Sequence, residues 1–323
     1  MIQTTSATPV ATITRGFDRV VRSLTSSVKT AHLDAGEEAA WNSRYVADSP
    51  LTDKQQSMAD FGYRDFEVSD RADTTIAMAG PNQVLTEEGV HELRNICDKL
   101  ADDAVDNDYV VSRRIRNVEV ASQFVHDMMR DPHMLLRLSA IAGTPLVPHP
   151  LRAAATQTNY YNSRDHGKSN DEQVAKWHHD GMLYVFTMQL TDSSEFRGGQ
   201  YIYFRGHRDD FEGLRDEIVP LGADHDRVSC APFKASGDTM FTRGSRVWHG
   251  VTPVISGRRI TFAMSMFSPL EPSDENEFWH TAPDDGLLAT VRGYLGLAAA
   301  KRAPKWYCRN EAIPLDSLTS EAP

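Results

Sequence analysis

His178-His179-Asp180, Trp248-His249 and Gly257-Arg258-Arg259 follow one another along this 323-residue chain in an order that can build a metal centre beside a binding site for an acid. A strand alternates its side chains between faces, so on a strand His178 and Asp180 point together and His179 points away. A second imidazole delivered from a distant strand, His249, completes two imidazoles and one carboxylate on one side of an ion. That set leaves neighbouring coordination positions open and suits non-haem Fe(II). Val247 to Val254 is rich in β-formers, Ser256-Gly257 offers a turn, and Arg259 to Phe267 resumes an apolar run. The pattern predicts a strand pair with His249 and Arg259 on neighbouring strands. Alternation lets only one of Arg258 and Arg259 face inward. His-x-Asp alone is a weak motif in a chain with 12 histidines and 45 acidic residues; the ordered set is what carries specificity.

The ordered set resembles the Fe(II)/2-oxoglutarate-dependent dioxygenases, and among them the prolyl 4-hydroxylase-like branch. Phe196-Arg197-Gly198-Gly199 is similar to that family's glycine turn after the first metal strand, and Ser236-Gly237-Asp238-Thr239-Met240-Phe241 to its Gly-x-x-x-Phe strand ahead of the second histidine. The resemblance spans residues 151–270 and implies a mainly β fold with supporting helices around a double-stranded β-helix, or jelly-roll, core. By motif, His178, Asp180 and His249 are the catalytic metal ligands and Arg259 is the anchor for the distal carboxylate of 2-oxoglutarate, with Arg258 as its competitor. Tyr161, on a strand ahead of the metal motif, is the family's further hold on 2-oxoglutarate. Thr261 shares the face of Arg259 and has a hydroxyl to offer the same carboxylate, although threonine is also simply a good β-former. The implied cofactors are Fe(II), 2-oxoglutarate as co-substrate, dioxygen and ascorbate as accessory reductant. The implied reaction is oxidation, by default hydroxylation, of an unactivated C–H bond, with succinate and carbon dioxide as co-products. Halogenating members lack the carboxylate ligand, so Asp180 disfavours halogenation; desaturation, ring closure and epoxidation stay open.

The elements around these residues divide the chain into an N-terminal extension (1–70), a helical support region with the first strands (71–150), the β core (151–270) and a C-terminal helix and tail (271–323). In the extension, Phe17, Val20, Val21, Leu24 and Val28 form a helical stripe among Arg15, Arg19, Arg22 and Lys29, the look of an amphipathic helix or of a targeting segment. Tyr63 to Val68 and Thr74 to Met78 read as extended. Thr86-Glu87-Glu88 opens a helix striped by Val90, Leu93, Ile96, Leu100 and Ala104. Further helices are expected over Val118 to Met129, Met134 to Ala142 and Asp284 to Lys301, the last closed by Pro304. Ala153 to Asn162 alternates as a strand ending in Asn159-Tyr160-Tyr161. The polar run 163–173 is either a surface insertion or a lid.

Composition narrows the partners. A net charge of −11 and a pI near 5.5 argue against gripping nucleic-acid phosphates. No apolar run is long enough to span a bilayer, so no membrane role is expected. Three scattered cysteines fit reduced thiols in an intracellular, cytoplasmic setting, with an N-terminal targeting segment left open. Arg113-Arg114-Ile115-Arg116 offers either docking points for an anionic substrate or exposed surface charge, and Arg243 and Arg246 pose the same choice. Trp177, Tyr184, Tyr201 and Trp248 are candidates for a pocket wall or for core packing. Three functions fit: an oxygenase of a small molecule such as an amino acid or biosynthetic intermediate, a peptide hydroxylase, and a non-catalytic metal-binding β-helix sensor.

Overall fold

A computed structural model describes residues 32–34, 36–64, 74–106, 113–151, 155–163, 175–270, 287–311 and 313. The expected N-terminal helix and nearly all of the 163–173 run lie outside them, as do residues 65–68 and 284–286.

Two antiparallel sheets make the framework, so the chain is mainly β with a jelly-roll core. The larger sheet takes β1 (Gln55–Ser57), β2 (Ile76–Gln83), β3 (Val105–Asp106), β4 (Arg113–Arg116), β5 (Val147–Pro148), β6 (Thr156–Asn162), β8 (Tyr184–Gln189), β9 (Phe196–Gly198), β12 (Asp238–Arg243) and β14 (Val254–Phe267). Its order is β1-β2-β12-β8-β14-β6-β4-β3, with β5 and β9 pairing separately with β14. The smaller sheet is formed by β7 (Ala175–His178), β10 (Tyr201–Phe204), β11 (Val228–Cys230) and β13 (His249–Val251), in the order β11-β10-β13-β7. Strands β1 to β4 come from the chain before residue 151 and extend the same larger sheet.

Alternation gives the larger sheet two unlike faces. Tyr160, Phe186, Phe241, Ile260, Phe262 and Met264 point outward into the main core. There they meet helix α1 (Glu87–Lys99) through Val90, Leu93 and Ile96. Each such side chain taken fully out of water contributes about 1.5–3 kcal/mol, so this face secures the sheet to its helices. The Thr86 hydroxyl caps α1 by accepting from the Gly89 amide at 3.2 Å, with Glu87 and Glu88 in the first turn. The expected helix over Val118 to Met129 is two, α2 (Val118–Ala121) and α3 (Gln123–Met128), because Ser122 is extended and caps the second through the Val125 amide. α4 (Pro132–Ala142) starts two residues before the expected Met134, capped by Asp131. α5 (Phe211–Leu221) covers the smaller sheet. At the C-terminus, α6 (Leu287–Arg302) does end before Pro304, but that proline also opens α7 (Pro304–Asn310), where its fixed φ and missing N–H are tolerated.

The inner faces of the two sheets meet. Met78 and Met240 of the larger sheet pack with Tyr201 and Tyr203 of β10, and Tyr161 and Val254 pack with Ala175 of β7 and Val251 of β13. The expected pairing of the His249 and Arg259 strands is therefore corrected: β13 pairs with β10 and β7, whereas β14 pairs with β8 and β6. The chain crosses between sheets at Thr252-Pro253, and Ser256-Gly257 is no reversal. Gly257, at φ +80°, pairs with Phe196 of β9, and the register shift between β14 and β9 falls before it, between Val254 and Ser256. Among the described residues, no helix is long and apolar enough to cross a membrane.

Candidate metal and oxo-acid site

The three ligand candidates converge from separate elements. His178 ends β7 and pairs across the ladder with His249 at the start of β13. The strand stops at His178, so alternation is not what aims Asp180. Instead, the Asp180 amide donates to the Gly244 carbonyl at 2.8 Å, pinning the turn after β7 to the loop after β12. Asp180 Oδ1 lies 3.5 Å from His178 Nε2, and Oδ2 lies 3.5 Å from His249 Nε2. One ligand atom from each residue lies within 4.8 Å of the others. His179 turns away, edge-on to Trp248 at 5.0 Å.

Hydrogen bonding orients both rings for a cation. His178 Nδ1 is 2.7 Å from the Lys176 carbonyl and His249 Nδ1 is 2.9 Å from the Val247 carbonyl. A carbonyl only accepts, so each Nδ1 carries a proton and each Nε2 is turned toward Asp180. Burial pushes His249 down to about 4, with His178 adding to the effect and Asp180 opposing it. Burial works to raise the Asp180 carboxyl, but His249 and His178 outweigh it and hold the group below its ordinary value. A neutral His249 and an ionised Asp180 are the protonation states that a divalent metal requires of those two residues. Tyr201 stacks on His249 at 5.3 Å and 14°, and its hydroxyl lies 3.3 Å from Thr242 Oγ1 of β12.

Arg259 occupies the inner face of β14 and is 1% exposed. Its Nε, Nη1 and Nη2 are all buried and have no hydrogen-bond partner among the described residues. Aromatic faces flank it, with Tyr161 at 5.2 Å from the guanidinium carbon and Phe233 at 5.9 Å. Burial lowers its pKa below the ordinary guanidinium value, with Tyr161 opposing. Burial raises Tyr161, opposed by Arg259. A buried fork of donors without an acceptor suits a carboxylate supplied from outside the chain. Arg258 points outward, donates to Asp98 Oδ1 at 2.9 Å and covers Tyr160. Thr261 shares the Arg259 face, and its Oγ1 accepts from Asn159 Nδ2 at 3.4 Å. Gly199, at φ +62°, lies against Arg259: a Cβ there would meet Arg259 Cδ at 3.1 Å and Val254 Cγ2 at 2.9 Å.

Several pocket candidates are placed elsewhere. Trp177 and Trp248 pack with Phe211 on the outer face of the smaller sheet, because they alternate with the inward His178 and His249. Tyr184 lies on the helix side with Phe241, and Arg243 donates to its hydroxyl at 3.1 Å, which takes Arg243 away from the metal centre. Asn159 and Gly244 were not singled out from sequence as site residues. Asn159 had a readable signal, its place two residues from Tyr161 on one strand. Gly244 had none, because its role depends on a contact with Asp180 across the fold.

No protein-family model and no curated protein matches the chain. Among solved structures, HygX from Streptomyces hygroscopicus with nickel and 2-oxoglutarate bound is similar over 59% of this chain and 83% of its own, at 16% identity and a TM-score of 0.43. SnoK, a non-haem α-ketoglutarate-dependent carbocyclase of nogalamycin biosynthesis, is similar over 67% of this chain and 88% of its own, at 15% identity and a TM-score of 0.45. AviO1 from Streptomyces viridochromogenes Tue57 is similar over 68% and 97%, at 18% identity and a TM-score of 0.43. These likenesses concern the arrangement of the sheets, and the functional reading rests on the residues of the site.

Proposed function

We propose that the chain is an Fe(II)- and 2-oxoglutarate-dependent oxygenase of the prolyl 4-hydroxylase-like spacing, oxidising an unactivated C–H bond of a small molecule such as an amino acid or biosynthetic intermediate. The observation that carries this reading is the pairing of a two-histidine, one-carboxylate cluster with Arg259, whose buried guanidinium lacks a hydrogen-bond partner among the described residues. A metal sensor or a mononuclear hydrolase gives no use for such a cation. A peptide hydroxylase shares the centre, but the polar inner face around Asn159 and Thr261 fits a small polar molecule better.

In this reading His178, Asp180 and His249 hold the iron on one side and leave the opposite side open. Bound there with 2-oxoglutarate and dioxygen, the metal supplies the oxidising power for C–H attack, with ascorbate serving as accessory reductant. Arg259 fixes the distal carboxylate of 2-oxoglutarate as a fork, Tyr161 walls that pocket, and Thr261 offers a hydroxyl beside it. The backbone carbonyls of Lys176 and Val247 accept from each Nδ1–H and so fix the orientation of both imidazoles.

An anaerobic visible titration tests the proposal. Fe(II)-loaded protein is expected to gain a weak, broad charge-transfer band on adding 2-oxoglutarate, and Arg259→Ala should require far more 2-oxoglutarate for the same band. Iron bound without any band would overturn the proposal.

A further inference from the structure

Arg114 and Arg116 stand two residues apart on β4 and therefore share a face. Directly opposed residues on neighbouring strands also share a face, and the register carries that face to the site. Arg114 lies opposite Asn159 and Arg116 opposite Gln157 on β6; Asn159 lies opposite Thr261, and Tyr161 opposite Arg259, on β14. Both arginines thus occupy the face that holds Arg259. Ile115 between them lies opposite Thr158 and joins the outer core, and Arg113 turns outward to donate to the Ala101 carbonyl at 3.2 Å. Arg114 is 7% exposed, which sets it apart from a solvated surface charge.

The smaller sheet ends at β7, which lies over β6 where Ala175 packs with Tyr161. The strand next to β6 in the larger sheet is β4. His178, on the terminal strand β7, and Asp180 are also the more accessible ligands, with side chains 19% and 24% exposed against 8% for His249. Along this face the β4 arginines are followed by Gln157 and Asn159, whose amides are hydrogen-bonded to each other. At a strand spacing of about 4.8 Å, the Arg114 and Thr261 backbones are about 10 Å apart.

We infer that Arg114 and Arg116 form an anion-recognising subsite for the primary substrate, which is a polar small molecule bearing a carboxylate or phosphate group. The inference rests on the oxygenase reading and adds the substrate's chemical class. The test uses ligand-observed NMR on protein saturated with zinc and 2-oxoglutarate, since zinc is redox-inert and both the metal and Arg259 are then occupied. The probes are matched pairs: hexanoate against hexanamide, benzoate against benzamide, and glucose 6-phosphate against glucose. The charged member of at least one pair should bind more tightly, and Arg116→Gln and Arg114→Gln should each weaken it about tenfold, as expected for a lost charge-assisted hydrogen bond. Arg116→Lys should recover part of the loss, and the half-buried Arg116 keeps the test open if an Arg114 variant does not fold. Carboxylate preference points to an acid substrate and phosphate preference to a phosphate ester. No charge preference in the wild-type protein, or a preference unchanged in Arg116→Gln, would overturn the subsite. The Fe(II)/2-oxoglutarate band of the same variants should persist. Its absence from the wild-type protein would overturn the oxygenase reading instead.

Discussion

Arg259 is a buried cation aimed at a place where no residue of the described chain accepts its hydrogen bonds. Burying an ion without a partner costs several kcal/mol, so the metal-free, ligand-free protein carries a penalty that a bound carboxylate relieves. Arg259→Met keeps the bulk and removes the charge. It should stabilise the ligand-free protein by roughly 1–4 kcal/mol in urea denaturation and abolish the added stability that 2-oxoglutarate gives the zinc-loaded wild type. A variant less stable than wild type with no ligand present would show that Arg259 serves the fold. His249 makes a second residue-scale prediction. Its folded pKa of about 4 lies below the ordinary 6.5, so between those values the unfolded chain takes up a proton that the native site refuses. Stability of the metal-free protein should therefore fall as pH drops from 6.5 toward 4, by at most about 3 kcal/mol from this group. The depressed Asp180 acts in the same direction at lower pH. The difference in urea stability between wild type and His249→Gln, followed over that window, isolates the imidazole; a flat difference would refute the assignment.

At the scale of elements, the loop from Gly244 to Trp248 sets the geometry. Its Gly244 carbonyl holds Asp180, its Val247 carbonyl orients His249, and its Arg246 carbonyl accepts from the Tyr63 hydroxyl at 2.6 Å. Arg208 closes the clasp, donating to the Ser245 carbonyl at 3.0 Å while its own carbonyl accepts from Trp248 Nε1 at 2.9 Å. A Cβ on Gly244 would lie 2.5 Å from Asp180 Oδ2 and 2.8 Å from the Met182 carbonyl, so Gly244→Ala must displace the carboxylate. Metal affinity measured by calorimetry should drop about 10- to 100-fold while circular dichroism stays native. Unchanged zinc affinity would mean the loop adjusts at no cost. This loop also marks how far the sequence could be read. His178, Asp180, His249 and Arg259 could be singled out as candidates through their ordered resemblance to one family's motif; alternation required only that one of Arg258 and Arg259 face inward, and the resemblance pointed to Arg259. The cap at Thr86 was legible because it is local chemistry. The route of Asp180 was not, since the strand ends at the first imidazole and a carbonyl from another loop takes over. The sheet change between His249 and Arg259 was hidden too, because Ser256-Gly257 within one long strand and Ser256-Gly257 in a hairpin turn share one composition.

On the scale of the molecule, stability is divided unevenly between the two sheets. The larger sheet is fastened to its helices through one continuous core, reinforced at the C-terminus where Arg130 bridges Glu119 at 3.2 Å and Glu311 at 3.5 Å, and the Tyr307 hydroxyl donates to the Pro148 carbonyl at 3.0 Å. The smaller sheet rests on separate clusters, and its terminal strand β7, four residues long, pairs among the described residues with β13 alone. Yet β7 carries His178 and β13 carries His249, so a metal ion held between them would tie the terminal strand to its neighbour. Regions with few buried contacts open at low free energy, and a ligand that bridges them raises that free energy. Hydrogen exchange should therefore show faster exchange in β7 and the Gly244–Val251 segment than in β8, β14 or α1 of the metal-free protein. Zinc should slow exchange in β7 and β13, 2-oxoglutarate should extend the effect to β14 around Arg259, and α1 should be unaffected. Uniform slowing through the helices would instead mean that metal binding is coupled to folding of the whole chain rather than to closure of the smaller sheet over the site.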